Sequence, residues 1–123
     1  MERAAARILI VDDEPQLLKV MTKFLARLGY GVVSSGVTED AWSQFEADPA
    51  GYTLAIVDMT MQGMSSEELM RRMRERNPSI CLVGCSGYPF DMTEFELPGK
   101  PAVFLQKPFT PEMLSQTIAA LLE

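Results

Sequence analysis

Arg7-Ile8-Leu9-Ile10-Val11-Asp12-Asp13-Glu14-Pro15 is an apolar run that turns abruptly acidic and then meets proline. Four apolar residues, Ile8 to Val11, without a polar interruption predict a strand covered on both faces. Pro15 stands where the first turn of a helix tolerates proline. Leu17, Leu18, Met21, Phe24, Leu25 and Leu28 then follow at helical spacing. A buried strand, a short acidic turn and a helix make the opening unit of a parallel α/β sheet. The unit leaves Asp12 and Asp13 at the carboxyl end of its strand.

The rest of the chain repeats this alternation. Gly29 supplies a helix stop, and 31–35 predicts a second strand. Thr38 is expected to cap a second helix whose inward stripe is Ala41, Trp42 and Phe45. The third strand is expected over 52–57, closing on Asp58. Ser65 and Glu68 form a capping-box pattern ahead of Leu69, Met70 and Met73, and Asn77-Pro78 ends that helix. A fourth strand is expected over 80–85. The stretch 88–101 carries Pro89, Pro98, Gly99 and Pro101, which predicts a short or distorted fourth helix. A fifth strand over 102–105 precedes a last helix opened by Thr110-Pro111, with Leu114, Ile118, Leu121 and Leu122 inward. Five strands alternating with five helices predict an α/β fold with its sheet covered on both faces.

Composition narrows the chemistry. The 123 residues are 47% hydrophobic, enough for one core of ordinary domain size. Seventeen acidic against eleven basic residues give a formal net charge of −6, which disfavours nonspecific nucleic-acid binding. Arg71, Arg72, Arg74 and Arg76 are read as a solvated helix surface, favoured near a helix C-terminus by its dipole. With no histidine in the chain, a thiolate–imidazole zinc site and a His-dependent triad are excluded. Cys81 and Cys85 lie four residues apart on one expected strand, about 13 Å, beyond disulfide reach, and read as buried thiols. No stretch approaches a membrane span, and the first residues lack the apolar core of a signal peptide. A cytoplasmic location without membrane contact is the expectation.

Polar residues stand at the carboxyl ends of four of these strands: Asp12 and Asp13, Asp58, Ser86, and Lys107 two residues beyond the fifth. Open parallel sheets bind ligands outside those ends, so the five should converge on one crevice. Clustered carboxylates repel one another, and a divalent cation with hard oxygen ligands relieves the conflict. Metal and lysine together can neutralise a phosphoryl group while a carboxylate attacks in line. Each residue also has a plainer reading: Asp12 or Asp13 as a helix cap, Asp58 and Ser86 as turn residues, Lys107 as a solvated charge.

Taken together, Val11-Asp12-Asp13-Glu14-Pro15, Asp58-Met59-Thr60-Met61-Gln62-Gly63-Met64, Cys85-Ser86-Gly87 and Phe104-Leu105-Gln106-Lys107-Pro108-Phe109 resemble the response-regulator receiver family of two-component signalling. The resemblance covers roughly 7–122. It implies a flavodoxin-like doubly wound (βα)5 fold with a five-stranded parallel sheet of order 2-1-3-4-5. Residues 1–6 would be an N-terminal extension and 7–123 the receiver domain. It implies Asp58 as phosphoacceptor, and Asp13 as direct Mg²⁺ ligand with Asp12 acting through water. Asp58 and the backbone carbonyl of Thr60 would complete the metal set. Ser86 and Lys107 would hold the phosphoryl group, and Ser86 and Phe104 would form the switch pair. A cis Lys107-Pro108 bond is common in the family. The implied partner is a histidine kinase or phosphotransfer domain, with no nucleic acid bound by this domain and with homodimerisation open. The phosphoacceptor switch would not be an enzyme, although it assists its own phosphoryl transfer and dephosphorylation.

The chain departs from the family at Gln62, where proline is usual, and at Ser65-Ser66. Tyr88 is expected to overhang the site and slow attack by water. The Cys85-Ser86-Gly87-Tyr88 and Leu105-Gln106-Lys107-Pro108-Phe109 stretches look similar to receivers of hybrid sensor histidine kinases, so both a stand-alone regulator and a part of a longer protein are open. The alternative is a haloacid-dehalogenase-like Mg²⁺-dependent phosphatase. It calls for an Asp-x-Asp pair after the first strand, whereas Asp12 and Asp13 are adjacent.

Overall fold

The computed structural model describes residues 6–88 and 96–122. In chain order the elements are β1 Arg7–Val11, α1 Pro15–Arg27, β2 Gly31–Ser35, α2 Thr38–Glu46, β3 Leu54–Asp58, α3 Ser66–Arg76, β4 Cys81–Ser86, β5 Val103–Gln106 and α4 Pro111–Leu122. A single 3₁₀ turn, Pro49–Gly51, precedes β3. The strands form one parallel sheet in the order β2-β1-β3-β4-β5, the order that the resemblance implies. The expected irregular fourth helix falls largely on 89–95, outside the described residues.

Side-chain alternation along the strands divides the core in two. Ile8, Ile10, Leu54, Ile56, Val83 and Cys85 face the α1 and α4 side with Leu25, Leu114 and Ile118. Leu9, Val11, Ala55, Val57 and Leu82 face the α2 and α3 side with Phe45, Leu69, Met70 and Met73. Every residue of β3 and β4 is buried. Such strands read as continuous apolar runs because both faces are covered. Cys81 and Cys85 are free, buried thiols on the α1/α4 side. Burial, helped by the nearby Asp12 and Asp58 charges and opposed by Lys107, pushes the Cys85 thiol up to about 12. Among the described residues no helix is long and apolar enough to cross a membrane.

The strands follow the expected order with shifts of one or two residues at their ends. β3 starts at Leu54 because Pro49–Gly51 makes the 3₁₀ turn first. Gly29 ends α1 with φ of 96°, a conformation that disfavours a side chain. Ser65 caps α3 by accepting the Glu68 N–H, and Thr110 accepts the Met113 N–H at the head of α4.

Three readings need correction. Thr38 is not a cap: it is the first residue of α2, and its hydroxyl, fully buried, bonds to the Gln62 carbonyl and to Glu39. Glu68 does not close the capping box; its carboxylate instead pairs with Arg71 and Arg72 at 2.9 Å each. The third concerns Arg74, expected on the solvated face of α3 but only 1% exposed. Its guanidinium donates to the carbonyls of Pro98 and Lys100, tying α3 to the segment that leads into β5. Among the described residues Nε and Nη2 have no hydrogen-bond partner, and burial lowers the pKa of the group. Backbone acceptors far along the chain hold this arginine, so no acidic residue nearby in sequence marks it. Arg74→Ala should cost about 3 kcal/mol in urea unfolding, since it removes buried volume and orphans two carbonyls.

Candidate functional site

Backbone bonds join neighbouring strands at their carboxyl ends: β1 to β2, β3 to β4, and the residue after β5 to β4. The Asp12 N–H donates to Ser35, that of Met59 to Cys85, and that of Lys107 to Ser86, at 3.1, 2.7 and 2.8 Å. Residues from five segments thereby meet at one rim.

The Lys107 ammonium stands at the centre. Its Nζ lies 2.9 Å from Asp12 Oδ2, 3.0 Å from Glu14 Oε1 and 3.3 Å from Asp58 Oδ2. Oxygens of these three carboxylates lie within 4.8 Å of one another. The side chains of Asp12 and Asp58 are each 3% exposed and that of Lys107 13%, whereas that of Glu14 is 59% exposed. Burial raises the Asp12 pKa, with the Asp58 charge adding to it, and together they outweigh the bonds from Lys107 and the Glu14 N–H. Burial also acts against the Lys107 ammonium, but its bonds to Asp12 and Glu14 and the charges of Asp12 and Asp58 prevail and raise its pKa. One cation is shared among three carboxylates.

Asp58 is further fixed through Oδ1, which accepts the Thr60 N–H at 2.9 Å and the Thr60 hydroxyl at 2.8 Å. Its backbone carbonyl accepts the buried Ser66 hydroxyl. Asp12 Oδ1 accepts the Glu14 N–H, which shapes the turn into α1. The loop after β3 is held from α2: Glu39 accepts the Met64 N–H at 2.8 Å, and Thr38 donates to the Gln62 carbonyl. Gly63 turns this loop with φ of 83°, the Glu39 carboxylate lying against it.

The predicted residues do not all meet. Asp12, Asp58 and Lys107 are in direct contact, and Thr60 bonds to Asp58. Asp13 is exposed and lines a separate cleft of about 410 Å³ with Gly36, Val37, Glu39 and Met61. Ser86 is buried at the end of β4, its hydroxyl accepting the Tyr88 N–H at 3.1 Å. Phe104 is half-buried on β5, opposite Gly84. The Lys107–Pro108 bond is cis. Tyr88, 74% exposed, lines a cavity of about 530 Å³ with Glu14, Leu17, Thr60, Lys107 and Phe109. Glu14 is the residue missed from sequence. Its signal was a third consecutive acid in the Asp12-Asp13-Glu14 turn, overshadowed by the pair before it.

Oxygen-only donors, two of them buried, with one carboxyl raised by burial and by its neighbour's charge, suit a hard divalent cation such as Mg²⁺. The same arrangement, a buried carboxylate beside an ammonium that lines a cavity, suits phosphoryl transfer.

Comparison with known proteins agrees with this geometry. A family model described as the response regulator receiver domain matches residues 8–119. The sensor kinase CckA of Brucella abortus is 28% identical over 120 residues, 97% of this chain and 13% of that protein. The response regulator RppA of Synechocystis is 34% identical over 119 residues, 94% of this chain and 50% of that protein. The chain thus spans half or less of the length of these relatives. The crystal structure of a response regulator receiver protein from Sinorhizobium medicae superposes with a TM-score of 0.86 at 26% identity, covering 96% of this chain and 94% of that one.

Proposed function

The chain belongs to the response regulator receiver domain family of two-component systems, and from that premise we propose that Asp58 accepts a phosphoryl group from a phosphohistidine of a kinase or phosphotransfer domain. The observation that carries this reading is the buried Asp58 carboxylate held 3.3 Å from the ammonium of Lys107, a residue that lines an open cavity. A carboxylate oxygen of Asp58 attacks phosphorus, the O–P bond forms as the N–P bond to imidazole breaks, and the leaving imidazole takes up a proton. Lys107 offsets charge on the phosphoryl oxygens, and the Ser86 hydroxyl donates to one of them as Phe104 turns inward. Asp12, Asp58 and the Thr60 carbonyl would hold Mg²⁺, joined by Asp13 on turning in from the separate cleft that it lines here; the cation would neutralise charge on the phosphoryl oxygens. Its cytoplasmic, phosphorelay role and its control of a partner or attached domain follow from the same reading. The residues 7–123 form the functional unit in it, and no second catalytic step is assigned.

Incubation with Mg²⁺ and acetyl phosphate, followed by intact mass measurement, should show gain of one phosphoryl group. Asp58→Asn should abolish the gain; an adduct that survives this change refutes the assignment. Tyr88 lines the cavity and shields the phosphoryl group from water in this reading. Tyr88→Ala should therefore shorten the phosphoryl lifetime about threefold, read by decay of the adduct mass, in line with the role of excluded water.

A further inference from the structure

We propose that Glu14 is a charge gate that sets which phosphodonors reach Asp58, an inference that rests on the phosphoacceptor reading above. Three carboxylates touch Lys107, and they are not equivalent. Asp12 and Asp58 are sealed in, while Glu14 is largely solvent-exposed and lines the cavity mouth. Its backbone is anchored: the N–H donates to Asp12 Oδ1, and the carbonyl accepts the Leu18 N–H in the first turn of α1. Its side chain, 59% exposed, is held by the contact with Lys107. In the unphosphorylated state that side chain occupies one face of the ammonium, at 3.0 Å, on the solvent side.

A phosphoryl group bound for Asp58 must pass this carboxylate and displace it from Lys107. A small donor carrying two negative charges has nothing else to offer the gate and is repelled. A donor with less negative charge is repelled less, and a phosphohistidine presented by a protein brings its own contacts to offset the repulsion. Charge at the mouth of a low-dielectric cleft changes association rates by about tenfold or more. Glu14 thereby biases the site against free anionic phosphate donors.

The test compares acetyl phosphate with phosphoramidate, which carries less negative charge, for the wild-type chain and Glu14→Gln in Mg²⁺. Glutamine keeps the length and an acceptor for Lys107 while removing the charge. Glu14→Gln should raise the acetyl phosphate rate about tenfold, change the phosphoramidate rate less than twofold, and weaken the salt dependence of the acetyl phosphate rate. Glu75→Gln, the same charge change far along α3, should leave both rates unchanged. Equal effects on the two donors, or no effect on either, overturn the gate. So does a Glu14→Gln variant that slows both donors and binds Mg²⁺ more weakly, which makes Glu14 a metal ligand instead. Failure of wild type with every donor, its cognate kinase included, points to the Asp58 assignment and not to the gate.

Discussion

Lys107→Met should slow phosphorylation of Asp58 by about 10²–10³-fold, the usual cost of removing one preorganised charge from a transition state. Among the described residues the ion pairs of Asp12 and Asp58 run to Lys107 alone. Methionine keeps most of the volume, so the loss is one of charge. The measurement is the rate of phosphoryl adduct formation at saturating donor. A second readout separates this from simple misfolding. A carboxyl whose pKa is raised in the folded state binds protons more tightly there than in the unfolded chain. Stability then falls as pH climbs from the unfolded value toward the folded one. Asp12 already behaves so, from the ordinary 3.8 upward. Without Lys107 its carboxyl, and that of Asp58, lose their compensating charge. The variant should lose stability more steeply than wild type as pH rises above 3.8, and regain most of it in acid. A variant that phosphorylates at the wild-type rate would remove Lys107 from the mechanism.

Phe45→Ala should cost about 3–5 kcal/mol, a large share of the roughly 5–15 kcal/mol that holds a domain together. Phe45 is fully buried and lies 5.7 Å, centroid to centroid, from both Trp42 and Tyr52. It shares its cluster with Leu9, Val11, Ala55 and Val57, the inward residues of the two strands that deliver Asp12 and Asp58. Urea unfolding should move accordingly, whereas Val37→Ala, at a side chain 53% exposed, should change stability by less than about 0.5 kcal/mol. A Phe45→Ala loss below 1 kcal/mol would mean that the sheet is not supported from this side.

The sheet was legible because its strands are short, apolar and evenly interrupted: a chain covered on both faces has little freedom in what it writes there. The site was legible in part for the same reason, since strand ends announce themselves. What stayed hidden depends on groups that carry no residue-type signature. The acceptors of Arg74 are backbone carbonyls 24 and 26 residues away. Thr38 was read as a cap by its position, yet its hydroxyl serves the Gln62 carbonyl across the fold. Glu14 was masked by the Asp pair before it, and only three-dimensional proximity to Lys107, 93 residues on, sets it apart.

The two bonds from Thr60 to Asp58 break a symmetry. A carboxylate has two interchangeable oxygens, and rotation about its terminal bond ordinarily swaps them. Here Oδ1 accepts both the Thr60 N–H and the Thr60 hydroxyl, while Oδ2 faces Lys107. Swapping them requires both Thr60 bonds and the lysine contact to break together. Asp58 therefore presents distinguishable atoms, one already committed as an acceptor and the other turned toward the ammonium. The chain has made a regiochemical choice within a single side chain before any donor arrives.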